Sequence, residues 1–317
     1  MAEADEQGPG ENVPVSKKEK YVPPADDYAH PLLSDLILSE KQRDSLEQVL
    51  FTMEHPDIYK MGGIRPYKSY LFNGPPGTGK TYSVKALRNE LHKKKLPVLW
   101  VPYDTGTYGT AYINMGAVML QKYFDGCRAA ANEGNIVVSF WDEADVIFGS
   151  RAHLHSHKED TKNLETIMKN MNDLNKYSEG IYFFLCTNFP DQMDAAAVRS
   201  GRIDKVINFG LPEEEQLKAA YKLYLGDINK KAIYKVCDVK TLDQIVLVSE
   251  GFNYADVHEV VESAVRDEIY AFSKNDGVII EEPPKITQKH LVKSAERLKA
   301  ERTELGTTYK KRRIGFT

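Results

Sequence analysis

The sequence predicts an α/β fold in which a doubly wound, parallel five-stranded sheet precedes a small C-terminal α-helical domain. Three observations support this prediction. Five short apolar runs have the length and composition of strands that are covered on both faces. Helical patterns fill the gaps between these runs, as they do in units that alternate strand and helix. After Leu211 and Pro212 the strand pattern nearly stops, and only helical patterns follow.

The elements are predicted in chain order as follows. A helix opens at Ser39 and covers residues 39–54, with Leu46, Val49 and Met53 on one face. The predicted strands are Ser69–Asn73, Val98–Val101, Ile136–Trp141, Ile181–Thr187 and Lys205–Phe209. The helices between them are predicted over 80–93, 115–132, 160–176 and, as a short one, near 194–199. The later helices are predicted over 213–226, 241–249, 254–275 and 287–303.

These elements divide the chain into four predicted regions. Residues 1–30 are polar and too poor in apolar side chains to offset the entropy of ordering, so we expect a flexible tail with no separate substrate domain. The large domain is predicted over 31–211 and the helical lid domain over 212–303. Residues 304–317 form a basic tail that contains Lys310–Arg313. That cluster is either a solvated chain end or a contact with nucleic acid or a partner.

Composition and charge exclude several functional classes. The 317 residues include 42 Lys and Arg against 46 Asp and Glu, so the net charge of −4 argues against a surface built throughout for nucleic acid. The apolar runs are far shorter than the roughly 20 residues of a membrane span. The first residues lack the apolar stretch of a secretory signal. The three cysteines are widely spaced and fit no metal or disulfide framework, so we expect a reduced, cytoplasmic protein.

A phosphate-binding loop is predicted directly after the first strand. The pattern G-x-x-x-x-G-K-[ST] is matched by Gly74, Pro75, Pro76, Gly77, Thr78, Gly79, Lys80 and Thr81. Glycines let such a loop turn its N–H groups toward phosphate oxygens, and the following helix offers its positive end to the anion. Lys80 is predicted to reach the β- and γ-phosphates of ATP, and the Thr81 hydroxyl to join the shell of Mg²⁺.

A second site, which is acidic, is predicted where the strand Ile136–Trp141 ends. Asp142 follows this strand at the edge of the sheet where the nucleotide would lie, so it is expected to orient Mg²⁺. Glu143 comes next and is predicted to polarise the attacking water as a general base. Trp141 is expected to pack within the sheet.

With these two motifs in place, the chain resembles the AAA ATPases from about Leu32 to Leu298. The stretch from Asp142 to Asp145 is similar to the DExD box of that family. Cys186–Pro190 resembles its sensor-1 strand end, and Asp194–Asp204 resembles its second region of homology. Gly251–Val257 resembles the stretch of the helical domain that abuts the nucleotide, with Ala255 where other branches carry a sensor-2 arginine.

The resemblance implies roles for further residues. Asn188 would position the lytic water, and Arg199 and Arg202 would be arginine fingers that act on the ATP of a neighbouring subunit. Ile37, Tyr254 and Ala255 would contact the nucleotide. Because such arginines do not act on the ATP bound to their own subunit, the resemblance implies a homo-oligomeric ring. In this family the ring is usually a hexamer.

Two loops between these motifs are assigned by position. Tyr112 and Ile113 match the first pore loop of the family, whose glycine is replaced by Asn114, and would grip a polypeptide substrate. The alternative is that Tyr112 is an ordinary core or interface aromatic. His153, His155 and His157 follow the DExD box and are interpreted as a pore-facing loop, with plain surface or a metal site as alternatives.

These assignments predict a Mg²⁺-dependent, ATP-hydrolysing ring motor that remodels, unfolds or disassembles a protein substrate, either directly or through an adaptor. A nucleic-acid motor or an assembly or packaging ATPase is one alternative, supported by Lys310–Arg313 and Lys93–Lys95 and weakened by the net charge of −4. A nucleotide-gated scaffold is another alternative, although the presence of Glu143 and Asn188 argues for active hydrolysis.

Overall fold

The predicted fold class is confirmed by the sheet of the computed structural model. The structure describes residues 30–103, 116–148, 158–177, 179–193, 202–233, 235–237, 239–276 and 285–304. Five strands form one sheet in the order β2-β3-β4-β1-β5, and every neighbouring pair is parallel. The strands are β1 Ser69–Asn73, β2 Val98–Tyr103, β3 Ile136–Trp141, β4 Ile181–Thr187 and β5 Lys205–Asn208.

The helices follow the predicted order with a few additions. Helices α1 to α6 are Glu40–Glu54, Pro56–Met61, Lys80–Lys93, Gly116–Asn132, Ala144–Ile147 and Lys158–Tyr177. Helices α7 to α10 are Glu214–Lys231, Asp243–Val248, Tyr254–Asp276 and Gln288–Glu304. The sequence analysis did not predict α2 and α5, which are too short to show an apolar periodicity. The same holds for the single 3₁₀ turns Leu33–Asp35 and Pro190–Gln192.

Several element ends differ from prediction, and two of these differences have identifiable reasons. β2 runs two residues further, through Pro102 to Tyr103, because it is an edge strand and such a strand tolerates proline. α7 runs five residues past Gly226, because its last turns still pack on the helical core through Ile228. The Asn229 side chain there exchanges two 2.8 Å hydrogen bonds with the backbone of Cys237.

The sheet is doubly wound because its strands alternate between two apolar faces. In β1, Leu71 packs on one face, whereas Tyr70 and Phe72 pack on the other. Helices α4 and α6 cover the first face, and helices α1 and α3 cover the second. Burial of both faces explains why the central strands read as continuous apolar runs instead of alternating ones.

Trp141 packs within the sheet as predicted, on the face covered by α4 and α6. Its side chain is fully buried and stacks on Tyr103 with ring centroids 4.0 Å apart. The indole N–H donates a 2.8 Å hydrogen bond to the hydroxyl of Ser139, and that hydroxyl also bonds Tyr123. The hydrogen bond satisfies the buried indole N–H, and the packing of Trp141 fixes the end of β3, directly before Asp142.

Helices α7 to α10 enclose a third core of their own, which includes Tyr221, Val260 and Leu291. An isolated parallel β-bridge between the backbones of Cys237 and Ile286 joins two of the connecting segments. The three cysteines are all free and buried, and they pack as small apolar side chains. Within the described ranges, every helix is too short or too polar to cross a membrane.

Candidate functional site

The phosphate-binding loop lies at the carboxyl end of β1, where the parallel sheet places the end of β4 beside it and the end of β3 next to that of β4. Three of its glycines are required by geometry. A Cβ on Gly74 would lie 1.9 Å from the carbonyl oxygen of Phe209, so this position has no room for a side chain. Gly77 and Gly79 adopt left-handed backbone angles, with φ of 70° and 93°, which glycine adopts without strain. Gly79 is also the N-cap of α3.

Lys80 lies at the centre of this loop and is buried. Its ammonium group donates hydrogen bonds of 2.7 Å to the Gly74 carbonyl and 2.8 Å to the Pro75 carbonyl. A third bond, of 2.8 Å, reaches the side-chain oxygen of Asn188, 108 residues away in sequence. Burial lowers the pKa of Lys80. The structure thus brings together Lys80, predicted to reach the phosphates, and Asn188, which the resemblance assigns to the lytic water. An anion beside this ammonium would restore the favourable environment that burial removes.

Thr81 and Asp142 are the two predicted ligands of Mg²⁺, and the structure brings them into contact. The Thr81 hydroxyl donates to the Asp142 carboxylate at 3.2 Å. A hydroxyl and a carboxylate side by side are the oxygen ligands that Mg²⁺ takes in nucleotide sites, so these residues fit the metal. Thr78 lies within the loop, and its hydroxyl donates to the Pro75 carbonyl at 2.8 Å, which fixes the turn.

Glu143 occupies an unusual backbone conformation directly after Asp142. Its φ of 50° lies in the left-handed region, where non-glycine residues are uncommon. Its N–H donates to the Asp142 carboxylate at 3.0 Å, and its side chain is exposed at the same edge of the sheet as Lys80. Strained backbone of this kind clusters at functional sites, which is consistent with the role predicted for Glu143.

A hydrogen-bonded link between β4 and the DExD segment was missed by the sequence analysis. The buried hydroxyl of Thr187 donates to the Asp145 carboxylate at 2.5 Å and accepts the N–H of Phe189 at 3.0 Å. Asn188 lies between these two contacts, so Asp145 holds the turn that presents Asn188 to Lys80. The acidic residue three positions after Asp142 was the available signal, but its partner depends on the alignment of β3 and β4.

The helical domain contacts the phosphate-binding loop at the start of α9. The Tyr254 N–H donates to the Gly77 carbonyl at 3.0 Å, and the Tyr254 hydroxyl donates to the Ile37 carbonyl at 2.8 Å. Gln216 from α7 donates to the same hydroxyl at 3.2 Å. Ile37 and Tyr254 therefore lie together beside the loop, and Ala255 is exposed next to them.

Arg202 lies at the opposite edge of the sheet from the phosphate-binding loop. Its carbonyl accepts a 2.5 Å hydrogen bond from the hydroxyl of Ser69, the first residue of β1, whereas the loop follows the last. Four residues of strand separate the two ends by about 13 Å. Asp204 anchors this segment, because its carboxylate accepts the N–H groups of Lys68 and Ser69 and pairs with Arg65 at 2.5 Å.

Several predicted residues lie outside the described part of the chain. They are Arg199, the pore-loop residues Tyr112, Ile113 and Asn114, the histidines His153, His155 and His157, and the basic cluster Lys310–Arg313. The helix predicted near 194–199 and the polar segment up to residue 29 also fall there.

A substitution at Gly77 tests the packing of the loop against α9. In Gly77→Ala, the new Cβ would lie 2.8 Å from the Asn253 side chain and would also occupy left-handed backbone. We expect a loss in the free energy of unfolding above the 1–2 kcal/mol or so of left-handed strain alone, together with weaker ATP binding. Denaturant titration and calorimetry would measure these two effects.

Gly63→Ala is the matched control for this experiment. Gly63 has a similar φ of 74°, but among the described residues beyond its chain neighbours no atom lies within 4 Å of its hypothetical Cβ. It precedes the start of β1, whereas the loop follows the end of β1. It should show the strain cost alone with unchanged ATP affinity. Equal losses of stability in the two variants would show that the contact between Gly77 and Asn253 carries no weight.

Comparisons with known proteins identify a family and several relatives of this chain. Residues 70–211 match the model of the ATPase family associated with various cellular activities, abbreviated AAA. A probable 26S proteasome regulatory subunit 10B from Caenorhabditis elegans is 30% identical over 229 residues, which are 72% of this chain and 52% of that protein. The 26S proteasome regulatory subunit S10B homolog B from Arabidopsis thaliana is 28% identical over 254 residues, which are 80% of this chain and 59% of that protein.

A solved structure resembles this fold as well. The crystal structure of the FIGL-1 AAA domain superposes with a TM-score of 0.67 at 19% identity, covering 87% of this chain and 89% of that one. At this identity the likeness concerns the fold alone. The chain spans between half and three fifths of the length of the two proteasome subunits.

Proposed function

The chain belongs to the AAA family of ATPases, and on that premise we propose that it hydrolyses ATP with Mg²⁺ in a homo-oligomeric ring of six subunits that remodels, unfolds or disassembles a protein substrate. The observation that carries the proposal is the convergence on Lys80. Its ammonium group contacts both the loop carbonyls and Asn188, so the groups needed at the γ-phosphate come from two separate strands at one point.

Each step of hydrolysis is assigned to a group at this edge of the sheet. The N–H groups of the loop and the Lys80 ammonium would bind the phosphates, and Asn188 and Glu143 would hold the attacking water. Glu143 would take the proton of that water as the bond to the γ-phosphorus forms. Thr81 and Asp142 would hold Mg²⁺, which neutralises charge on the β- and γ-phosphates when it is bound. Ile37 and Tyr254 would contact the adenine base of ATP.

The protein-remodelling output is supported by the relatives. The two proteasome regulatory subunits are named for an assembly that acts on proteins, and the chain aligns with about half of their length. The net charge of −4 favours a protein over a nucleic acid as substrate. The free, buried cysteines support the proposed cytoplasmic location, since such thiols persist in reducing compartments.

The proposal is tested with the purified chain. We expect ATP hydrolysis that requires Mg²⁺ and stops in EDTA, and a ring whose mass is measured by mass photometry in ATP. A Glu143→Gln protein should retain a bound substrate in ATP and release it in ADP. Isolated substrate should then lose native structure with the unmodified chain and ATP. A salt-dependent shift of DNA or RNA without any effect on proteins would favour the nucleic-acid alternative.

The pore-loop assignment gives a separate prediction. If Tyr112 grips substrate, Tyr112→Ala should keep the ring and most basal hydrolysis but lose stimulation by substrate and all remodelling, because the contact depends on apolar burial of the ring. Tyr112→Phe should be nearly neutral, and Asn114→Gly should be tolerated. If Tyr112 is instead a core aromatic, Tyr112→Ala should lower the free energy of unfolding by about 3–5 kcal/mol. A thermal melt beside the hydrolysis assay distinguishes the two.

A further inference from the structure

The start of helix α9 forms a wall of the phosphate-binding loop. The Asn253 side chain is buried and occupies the space that a Cβ atom at position 77 would need. The next residue, Tyr254, donates its N–H to the Gly77 carbonyl at 3.0 Å. The position of these two residues therefore sets where the middle of the loop lies.

Asp256 fixes Asn253 through a reciprocal pair of hydrogen bonds at the start of α9. The Asn253 N–H donates to the Asp256 carboxylate at 2.8 Å, and the Asp256 N–H donates to the Asn253 side-chain oxygen at 2.8 Å. Such a pair satisfies two N–H groups that a helix start otherwise leaves without partners. The Asp256 carboxylate is only 3% exposed, so it needs a cation nearby to offset its loss of hydration.

Arg302, in the last turn of helix α10, supplies that cation. Its two terminal nitrogens donate to the two carboxylate oxygens of Asp256, one of them at 2.5 Å. The guanidinium carbon also lies 5.8 Å from the ring centroid of Phe252. A two-pronged contact of this kind fixes both the distance and the orientation of the carboxylate.

We propose that Arg302 is a positioning residue for nucleotide binding, which acts through Asp256 and Asn253 on the loop at Gly77. The inference rests on the proposed function of that loop. Four residues in contact connect the end of α10 to the phosphate site, and each contact is a hydrogen bond or a close packing contact. Helix α10 thereby becomes part of the nucleotide site without any side chain of its own reaching the nucleotide.

The physical consequence of removing Arg302 follows from burial. The Asp256 carboxylate would lose its cation and turn toward solvent, since a buried unpaired charge is unfavourable. Asn253 would then lose the acceptor for its N–H, and the wall beside Gly77 would loosen. Nucleotide would have to order this wall on binding, so its affinity falls.

The test compares two arginines of the same helix. Arg297 also joins α10 to α9, through Asp267 at 2.7 Å and through Ser263, but both bonds are exposed to solvent and, in the described part of the chain, neither partner hydrogen-bonds the loop. With ADP as the probe and calorimetry on the full chain, we expect Arg302→Ala to weaken binding about tenfold. Arg297→Ala should change binding by no more than about twofold. Equal effects of the two substitutions on affinity would overturn the proposal.

A double-mutant cycle identifies the route. If Arg302 acts through Asn253, then Arg302→Ala should weaken ADP binding by less than about twofold in an Asn253→Ala background. Effects of the two substitutions that simply multiply would overturn the proposed route. Arg302→Lys, which keeps the charge but loses the two-pronged contact, should fall between native and Arg302→Ala. It also provides the measurement if Arg302→Ala does not fold, and native affinity in it would overturn the requirement for the two-pronged contact.

The native chain separates this inference from the proposed function. If the native chain fails to bind ADP or ATP, the proposed function is wrong. If it binds both and Arg302→Ala behaves as Arg297→Ala does, only the positioning role is wrong.

Discussion

Replacing Arg202 by alanine should lower the turnover number for ATP by a factor on the order of 10³–10⁵ and leave ATP affinity nearly unchanged, the effect measured for arginine fingers in GTPases. The structure gives a geometric reason to expect action between subunits. The Arg202 carbonyl accepts a hydrogen bond from Ser69, the first residue of β1. The phosphate-binding loop follows the last residue of this strand, about 13 Å away. Arg199→Ala should behave in the same way.

Mixed rings test whether this arginine acts across subunits. Arg202→Ala subunits keep an intact ATP site, and Lys80→Ala subunits keep intact arginines but lose the ammonium group at the phosphates. Each parent should be nearly inactive, and a mixture should recover activity where an intact site meets an intact finger. Lys205→Ala is the control at the same edge, where the Lys205 ammonium group donates to the Gln48 side-chain oxygen at 2.7 Å. It should keep turnover within about twofold. A mixture as inactive as its parents, in rings shown to co-assemble, would argue against a finger acting in trans.

Replacing Glu143 by glutamine should lower turnover by a factor of about 10²–10⁴, the usual contribution of a general base, because an amide does not accept the proton of the attacking water. ATP binding should persist, since the Glu143 side chain is exposed beside the loop and the phosphates are held by other groups. Single-turnover hydrolysis measures the chemical step, and equilibrium binding measures the affinity.

Glutamine is the informative replacement because it leaves the backbone unchanged. Residue 143 has a φ of 50°, and glutamine has the same cost there as glutamate, whereas glycine would relieve the strain. Glu165→Gln, the same change at an exposed position of α6, should leave turnover within about twofold. Near-normal hydrolysis by Glu143→Gln would show that another group is the base.

The sequence by itself determined the fold class and the five strands, and it predicted the groups proposed to bind phosphate and metal. These properties are local. Apolar runs follow the period of a strand or helix, and the motif from Gly74 to Thr81 is contiguous because one turn between β1 and α3 builds the loop. The loop glycines could be predicted because the left-handed backbone of Gly77 and Gly79 arises within a single turn, whereas the close contacts of Gly74 with Phe209 and of Gly77 with Asn253 depend on the tertiary structure.

Only the tertiary structure decided which distant residues meet. Lys80 bonds Asn188 because β4 lies beside β1, an order that no strand pattern encodes. Asp145 bonds Thr187 because β3 lies beside β4, and Arg302 bonds Asp256 because α9 and α10 pack on one core. Such pairs have no periodic signal, since their separation in sequence reflects the length of the intervening chain and their contact reflects packing. The residues that support the phosphate-binding loop, such as Asp145 and Arg302, are therefore identified only from the tertiary structure. The residues predicted to contact the nucleotide are identified from their sequence motifs.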